Sequence, residues 1–195
     1  MQGIGFSTTE RRRPMFLPWK SEFNKNLVVD SARKKHFDQV IHLVDYVYGD
    51  IYPKADVYFK NTIYSNVRSY DWTLTHQGVL STTYIALLGG APVGAIIFKP
   101  EVKGRLGLDF IGSFDRFNPD GHIDHELIRF VDDFADECGW RQIFCHVPIA
   151  SQPMINLMLA SGYNITSIIR NNRKSQLFRV GVAECLMEKT VPTRH

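Results

Sequence analysis

The stretch Arg105-Leu106-Gly107-Leu108-Asp109-Phe110-Ile111-Gly112-Ser113-Phe114 runs directly into Asp115-Arg116-Phe117-Asn118-Pro119-Asp120-Gly121-His122-Ile123. The first part is a β-type apolar run. The second is a polar loop, and behind it Ile123, Leu127, Phe130, Val131 and Phe134 recur at helical spacing until Gly139. A strand, a tight loop and an amphipathic helix in that order turn several backbone N–H groups toward one point and add the positive end of the helix, which makes a site for phosphate oxygens. Glycine at 121 leaves room for a ligand to reach the backbone.

The elements on either side agree with such a unit. Upstream, Thr82–Leu88 and Pro92–Phe98 are two β runs separated by Gly89-Gly90, a hairpin signature. Further upstream, Leu27-Val28-Val29 precedes the capping residues Asp30 and Ser31, and Phe37, Val40, Ile41, Val44 and Tyr48 mark a helix that stops at Gly49. A second helical pattern follows Tyr52-Pro53 through Phe59, Ile63, Val67 and Tyr70. Downstream come a strand at Gln142–Val147, a short helix opened by Pro153 and ending near Gly162, and two last strands near Asn164–Arg170 and Ala183–Lys189. The expected class is α/β, a twisted mixed β-sheet flanked by helices.

Composition sets the outer limits. The 195 residues are 44% hydrophobic, 12% aromatic and 22% charged, enough for one core without staples. A net charge of +3 from 23 basic and 20 acidic residues is too mild to imply a nucleic-acid polymer and compatible with a compact anionic ligand. Cys138, Cys145 and Cys185 show no metal-type spacing among themselves and read as reduced thiols of a cytoplasmic protein. No apolar run reaches membrane-spanning length, so no membrane partner is expected. Residues 1–25, with Arg11-Arg12-Arg13-Pro14, follow neither period and read as an extended or partly mobile arm ahead of a single domain at 26–195.

Taken together, the hairpin at 90–97, the strand-loop-helix unit at 106–138, the strand at 142–147, Leu157-Met158-Leu159-Ala160-Ser161-Gly162-Tyr163 and the closing Cys185-Leu186-Met187-Glu188-Lys189 resemble the GCN5-related N-acetyltransferase (GNAT) superfamily. The resemblance covers about Leu27 to Lys189. It implies an acyl-CoA N-acyltransferase-like fold, with acetyl-CoA as acyl donor, no metal, and a small-molecule or peptide amine as acceptor. The family's pyrophosphate loop reads Arg/Gln-x-x-Gly-x-Gly/Ala, and Asn118, Gly121 and Ile123 occupy those places. Met158 stands where the family often has a tyrosine that protonates the departing thiolate.

The resemblance implies that acyl-CoA lies between the strand ending near Phe114 and the strand at 142–147. Ile111, Ser113, Asn118, Gly121, His122, Ile123 and Asp124 would then contact it, with Gln152 or Asn156 replacing the family's asparagine, and Arg116 and Lys174 near outlying phosphates. Asp109 is the first candidate for the base, and alternation puts it on one face with Ile111 and Ser113. His146 is the second candidate, and Tyr163 is the candidate acid. Tyrosines 46, 48, 52, 58, 64 and 70 suggest an acceptor wall, although tyrosines at this spacing also simply cover a core edge.

Two other readings compete. Asp120-Gly121-His122-Ile123-Asp124-His125-Glu126 vaguely resembles the His-x-His-x-Asp-His motif of metallo-β-lactamase-like hydrolases. A non-catalytic GNAT-like module acting through a protein partner is the other. An exposed strand near the C-terminus is a candidate to pair two subunits into a homodimer.

Overall fold

A computed structural model describes residues 18–52, 83–100, 105–170 and 182–192. Its frame is an eight-stranded mixed sheet: β1 (Trp19–Lys20), β2 (Leu27–Ser31), β3 (Thr83–Leu88), β4 (Ala91–Pro100), β5 (Arg105–Ser113), β6 (Gln142–Pro148), β7 (Asn164–Arg170) and β8 (Ala183–Thr190). They lie side by side in the order β1-β2-β3-β4-β5-β6-β8-β7, and only β5 and β6 run parallel. A parallel neighbour needs a crossover, and the helix α2 (His122–Glu137) supplies it. Helix α1 (Phe37–Tyr48) joins β2 toward β3, and α3 (Gln152–Ala160) joins β6 to β7.

Apolar residues on both faces of the central strands call for cover on both sides. On one side Val93, Ile96, Leu106, Leu108, Ile143 and Val147 pack with Leu127, Val131 and Phe134 of α2 and Ile155 and Met158 of α3. On the other, Ile85, Ala95, Ile97 and Phe110 pack with Val40, Leu43, Val44 and Tyr48 of α1. The β3–β4 turn is tight because Gly89 and Gly90 both take positive φ, 58° and 87°.

Three details depart from the sequence reading. The expected arm gives way to structure at Trp19, where β1 pairs with Val28 and Val29, Trp19 Nε1 donates to Asp133 of α2 at 3.0 Å, and Ser21 bonds Glu126. Alternation along β5 breaks at a bulge: Ile97 faces Phe110 while Phe98 faces Leu108. Leu108 and Ile111 therefore share the α2 core and Phe110 enters the α1 core, so Asp109 does not lie in one alternating row with Ile111 and Ser113. The third is Asp120–Glu126, whose side chains diverge: His122 and His125 are exposed, and Glu126 is buried on Ser21. Among the described residues no three His, Cys, Asp or Glu side chains converge on a metal-sized point. The helical pattern at 59–70, its tyrosines and Lys174 lie outside the described residues.

Candidate active site

The parallel ladder between β5 and β6 runs from Arg105↔Gln142 to Leu108↔Cys145 and stops. Both strands continue. Beyond that point, among the described residues, β5 through Ser113 pairs only with β4, and β6 through Pro148 pairs only with β8. The strands therefore part like a V, and the unpaired edges face each other.

At the open end of the V lies a cleft of about 470 Å³. Gly112 and Ser113 of β5, Asp115 and Gly121 of the loop, and Asp124 of α2 form one wall. Tyr46, Val47 and Asp50 come from α1 and its end, and Ser151, Pro153, Met154 and Leu157 from the start of α3.

The loop is held by Asn118. Its Nδ2 donates to Ser113 Oγ at 2.8 Å, and its Oδ1 accepts from the Ile123 amide at 2.7 Å. One buried side chain thus ties the end of β5 to the first turn of α2 and satisfies one of the amides a helix start leaves open. Asn118 shapes the loop from within. Ile123 is buried in the core, so its branched side chain points away from the cleft.

Gly121 caps α2 in the left-handed region, φ 70° and ψ 4°. A Cβ built there meets no atom within 4 Å, because it would point into open space. Among the described residues, the His122 and Asp124 amides next to it have no hydrogen-bond partner. Two free N–H groups at a helix start form an anion cradle. Their chemistry suits the oxygens of an anion.

The side chains around that cradle are acidic. Asp50, Asp115 and Asp124 line the cleft, and the described lining includes no Lys or Arg. Asp124 Oδ1 is buried without a partner. Burial pushes the Asp124 carboxyl above the ordinary aspartate value, against the pull of Ser113 and Asn118 beside it. That upward shift eases, without removing, the repulsion an anionic ligand would meet from this carboxyl. Asp115 also accepts from Tyr46 Oη at 3.1 Å, and Arg116 stacks on Phe114 and Phe117 at the outer side of the loop.

In architecture the chain is similar to Ard1 from Thermoplasma volcanium (TM-score 0.63, 13% identity, 86% of this chain and 99% of that one). It is equally close to the ribosomal-protein-S18-alanine N-acetyltransferase from Escherichia coli (TM-score 0.62, 14% identity, 87% and 96%). Arabidopsis thaliana Naa50, solved with the bisubstrate analogue CoA-Ac-MVNAL, gives 0.62 at 20% identity over 84% and 98%. The fold is that of the GNAT acetyltransferases. No family model matches the sequence, and no curated protein does.

Set in the GNAT fold, the sequence-predicted residues divide. Ser113, Gly121 and Asp124 line the cleft, and His122 contributes a free amide beside it. Asn118, Ile111 and Ile123 support the wall from the core side. Gln152 and Asn156 bond each other at 2.9 Å on the exposed side of α3, away from the lining. Tyr163 is 1% exposed and packs in the α2 core with its hydroxyl unpartnered, so the candidate acid does not face the cleft. Met158 is fully buried in the same core.

Asp109 and His146 are the first residues beyond the last rung of the β5–β6 ladder, at the apex of the V. Both are half-buried. Asp109 acts on the Tyr48 hydroxyl, which burial above all pushes well up, with Cys145, Asp109 and Glu184 adding to it. His146 stands edge-on to Phe144, ring centroids 6.2 Å apart.

Proposed function

We propose that this protein is an acyltransferase that moves an acetyl or other acyl group from acyl-CoA directly to an amine. The observation that carries the reading is the parting of β5 from β6 after Leu108↔Cys145, with a glycine-capped helix start and two free amides at its open end. A pantetheine arm is long, flexible and rich in amides, and unpaired strand edges offer it the N–H and C=O groups a third strand would use. The pyrophosphate would meet the amides of residues 122 and 124. The thioester would then reach the apex of the V.

Direct transfer needs position and one proton acceptor. An amine held near the thioester carbonyl gains from proximity alone a large share of the required acceleration. Asp109 and His146 stand at the apex and are the proposed groups to receive its proton. The acceptor wall includes Tyr46 and Asp50, and carboxylates there suit a cationic amine. GNAT neighbours include the NatC complex bound to Gag peptide and CoA, which supports a peptide amine as one class to try.

The test is thiol release from acetyl-CoA in the presence of a short peptide with a free N-terminus, and of a small diamine. The reading expects release that depends on an amine and saturates with acetyl-CoA. Amine-independent hydrolysis would contradict transfer to an amine, and no release although acetyl-CoA binds would favour a non-catalytic module acting through a protein partner.

A further inference from the structure

The two ends of the sheet are finished differently. One is β1, a strand of two residues that includes Lys20. The other is β7, which is seven residues long, carries no charge and no proline before Arg170, and has no strand on its outer side among the described residues. Every second residue of such a strand turns its N–H and C=O away from its neighbour, and those groups are a template for another strand.

The side chains add to this edge. In a regular strand residues three apart face opposite ways. In β7 a bulge lies between Ile165 and Ser167, so that Ile165 pairs with Met187 and Ile168 with Cys185. Met187 and Cys185 are two apart on β8 and both enter the core with α2 and α3, which puts Ile165 and Ile168 together on that face. They are 44% and 61% exposed. Two β-branched side chains therefore stand in solvent beside a row of open backbone groups.

We infer that β7 pairs antiparallel with β7 of a second copy of this chain, about a two-fold axis at Thr166-Ser167, so that the two sheets run on as one. The strand is self-complementary in that register. Ile165 of each copy stands opposite Ile168 of the other on one face, and Asn164 opposite Ile169 on the reverse face. The bulge permits this, because one extra residue per strand at the axis lets residues of odd and even number share a face. The arginines at position 170 fall at opposite ends of the ladder, about 20 Å apart at the usual rise of a strand, beyond the reach of their repulsion in physiological salt. A two-fold closes on itself, so pairing stops at two copies and the outer edges left are the two short β1 strands. Each cleft stays within its own copy, since β6 and β8 separate β7 from the V, and the pairing is independent of what the cleft binds.

The test is sedimentation equilibrium of the full chain under reducing conditions over the micromolar range, where a dimer is expected. Ile168→Lys sets an unpartnered ammonium into each apolar pair and should weaken association by about tenfold or more. Phe23→Lys, at a residue 68% exposed toward the other end of the sheet, should leave it alone. Mixing Ile165→Lys chains with Ile168→Glu chains should restore pairing, because the register sets the two charges opposite each other. Thermal melts check that each variant is folded, and hydrogen exchange on the unsubstituted chain needs no variant: the amides of β7 should exchange more slowly in the dimer than in diluted monomer. A monomer throughout the range, a dimer that Ile168→Lys leaves as tight as the parent, or amides of β7 that exchange alike in dimer and monomer overturns the inference.

Discussion

Replacing Gly121 by valine separates the two duties a left-handed glycine can have. The backbone there has φ 70°, and an added Cβ meets nothing within 4 Å. The folding penalty is therefore conformational strain alone, about 1–2 kcal/mol. For a chain of this size that lowers the melting temperature by about 2–8 °C, at roughly 2–4 °C per kcal/mol. The effect on ligand should be larger. The new side chain stands where a pyrophosphate must approach the amides of residues 122 and 124, and losing one charge-assisted hydrogen bond removes about 1.5–3 kcal/mol. That corresponds to a loss of acetyl-CoA affinity of about 10- to 150-fold.

Gly139 provides the control. It has φ 73°, lies at the other end of α2, and an added Cβ there also meets nothing within 4 Å. Gly139→Val should lower the melting temperature by a similar amount and leave affinity alone. Calorimetry and thermal melts of both variants make the comparison. Equal affinities for acetyl-CoA in the two variants would refute the assignment of the cradle.

Asn118→Ala removes both bonds that tie Ser113 to Ile123, and should cost about 1–3 kcal/mol in stability and weaken acetyl-CoA binding together, read by chemical denaturation and calorimetry. Asp124→Asn should tighten acetyl-CoA binding at neutral pH by about tenfold, the factor one unit of pKa coupling carries. The sign follows from linkage: burial holds the Asp124 carboxyl above its unfolded value, so its contribution to stability is full below that value and is lost as pH rises through the folded one. Binding of an anion in the parent chain should weaken over the same rise, and titrations across that range should be flatter in Asp124→Asn. Tyr163→Phe deletes a buried, unpartnered hydroxyl and should leave turnover within about twofold while stability holds or rises. A hundredfold loss of turnover there would restore Tyr163 as the acid.

Much of this architecture could be read from residue order. Gly89-Gly90 between two β runs gave the hairpin, and the 3.6-residue spacing from Ile123 to Phe134 gave the crossover helix, because turn chemistry and one-sided burial are local properties. The bulge at Asp109 was not legible, since β5 is apolar on both faces and a one-residue slip leaves no mark in such a run. The two-residue strand β1 was hidden for another reason. Its pairing with Val28 and Val29 and its ties to α2 are long-range.

The site divides along the same line. Gly121 was legible because a helix start needing positive φ announces itself as glycine. Asn118 was recognised by position, but that its side chain closes the loop depends on contacts to Ser113 and Ile123 that residue order does not show.

The most direct measurement is calorimetric titration of the purified chain with acetyl-CoA, with free CoA and zinc as parallel titrants. The account predicts saturable one-to-one binding of acetyl-CoA and of CoA, and none of zinc. Failure of both thioester and thiol to bind would contradict it.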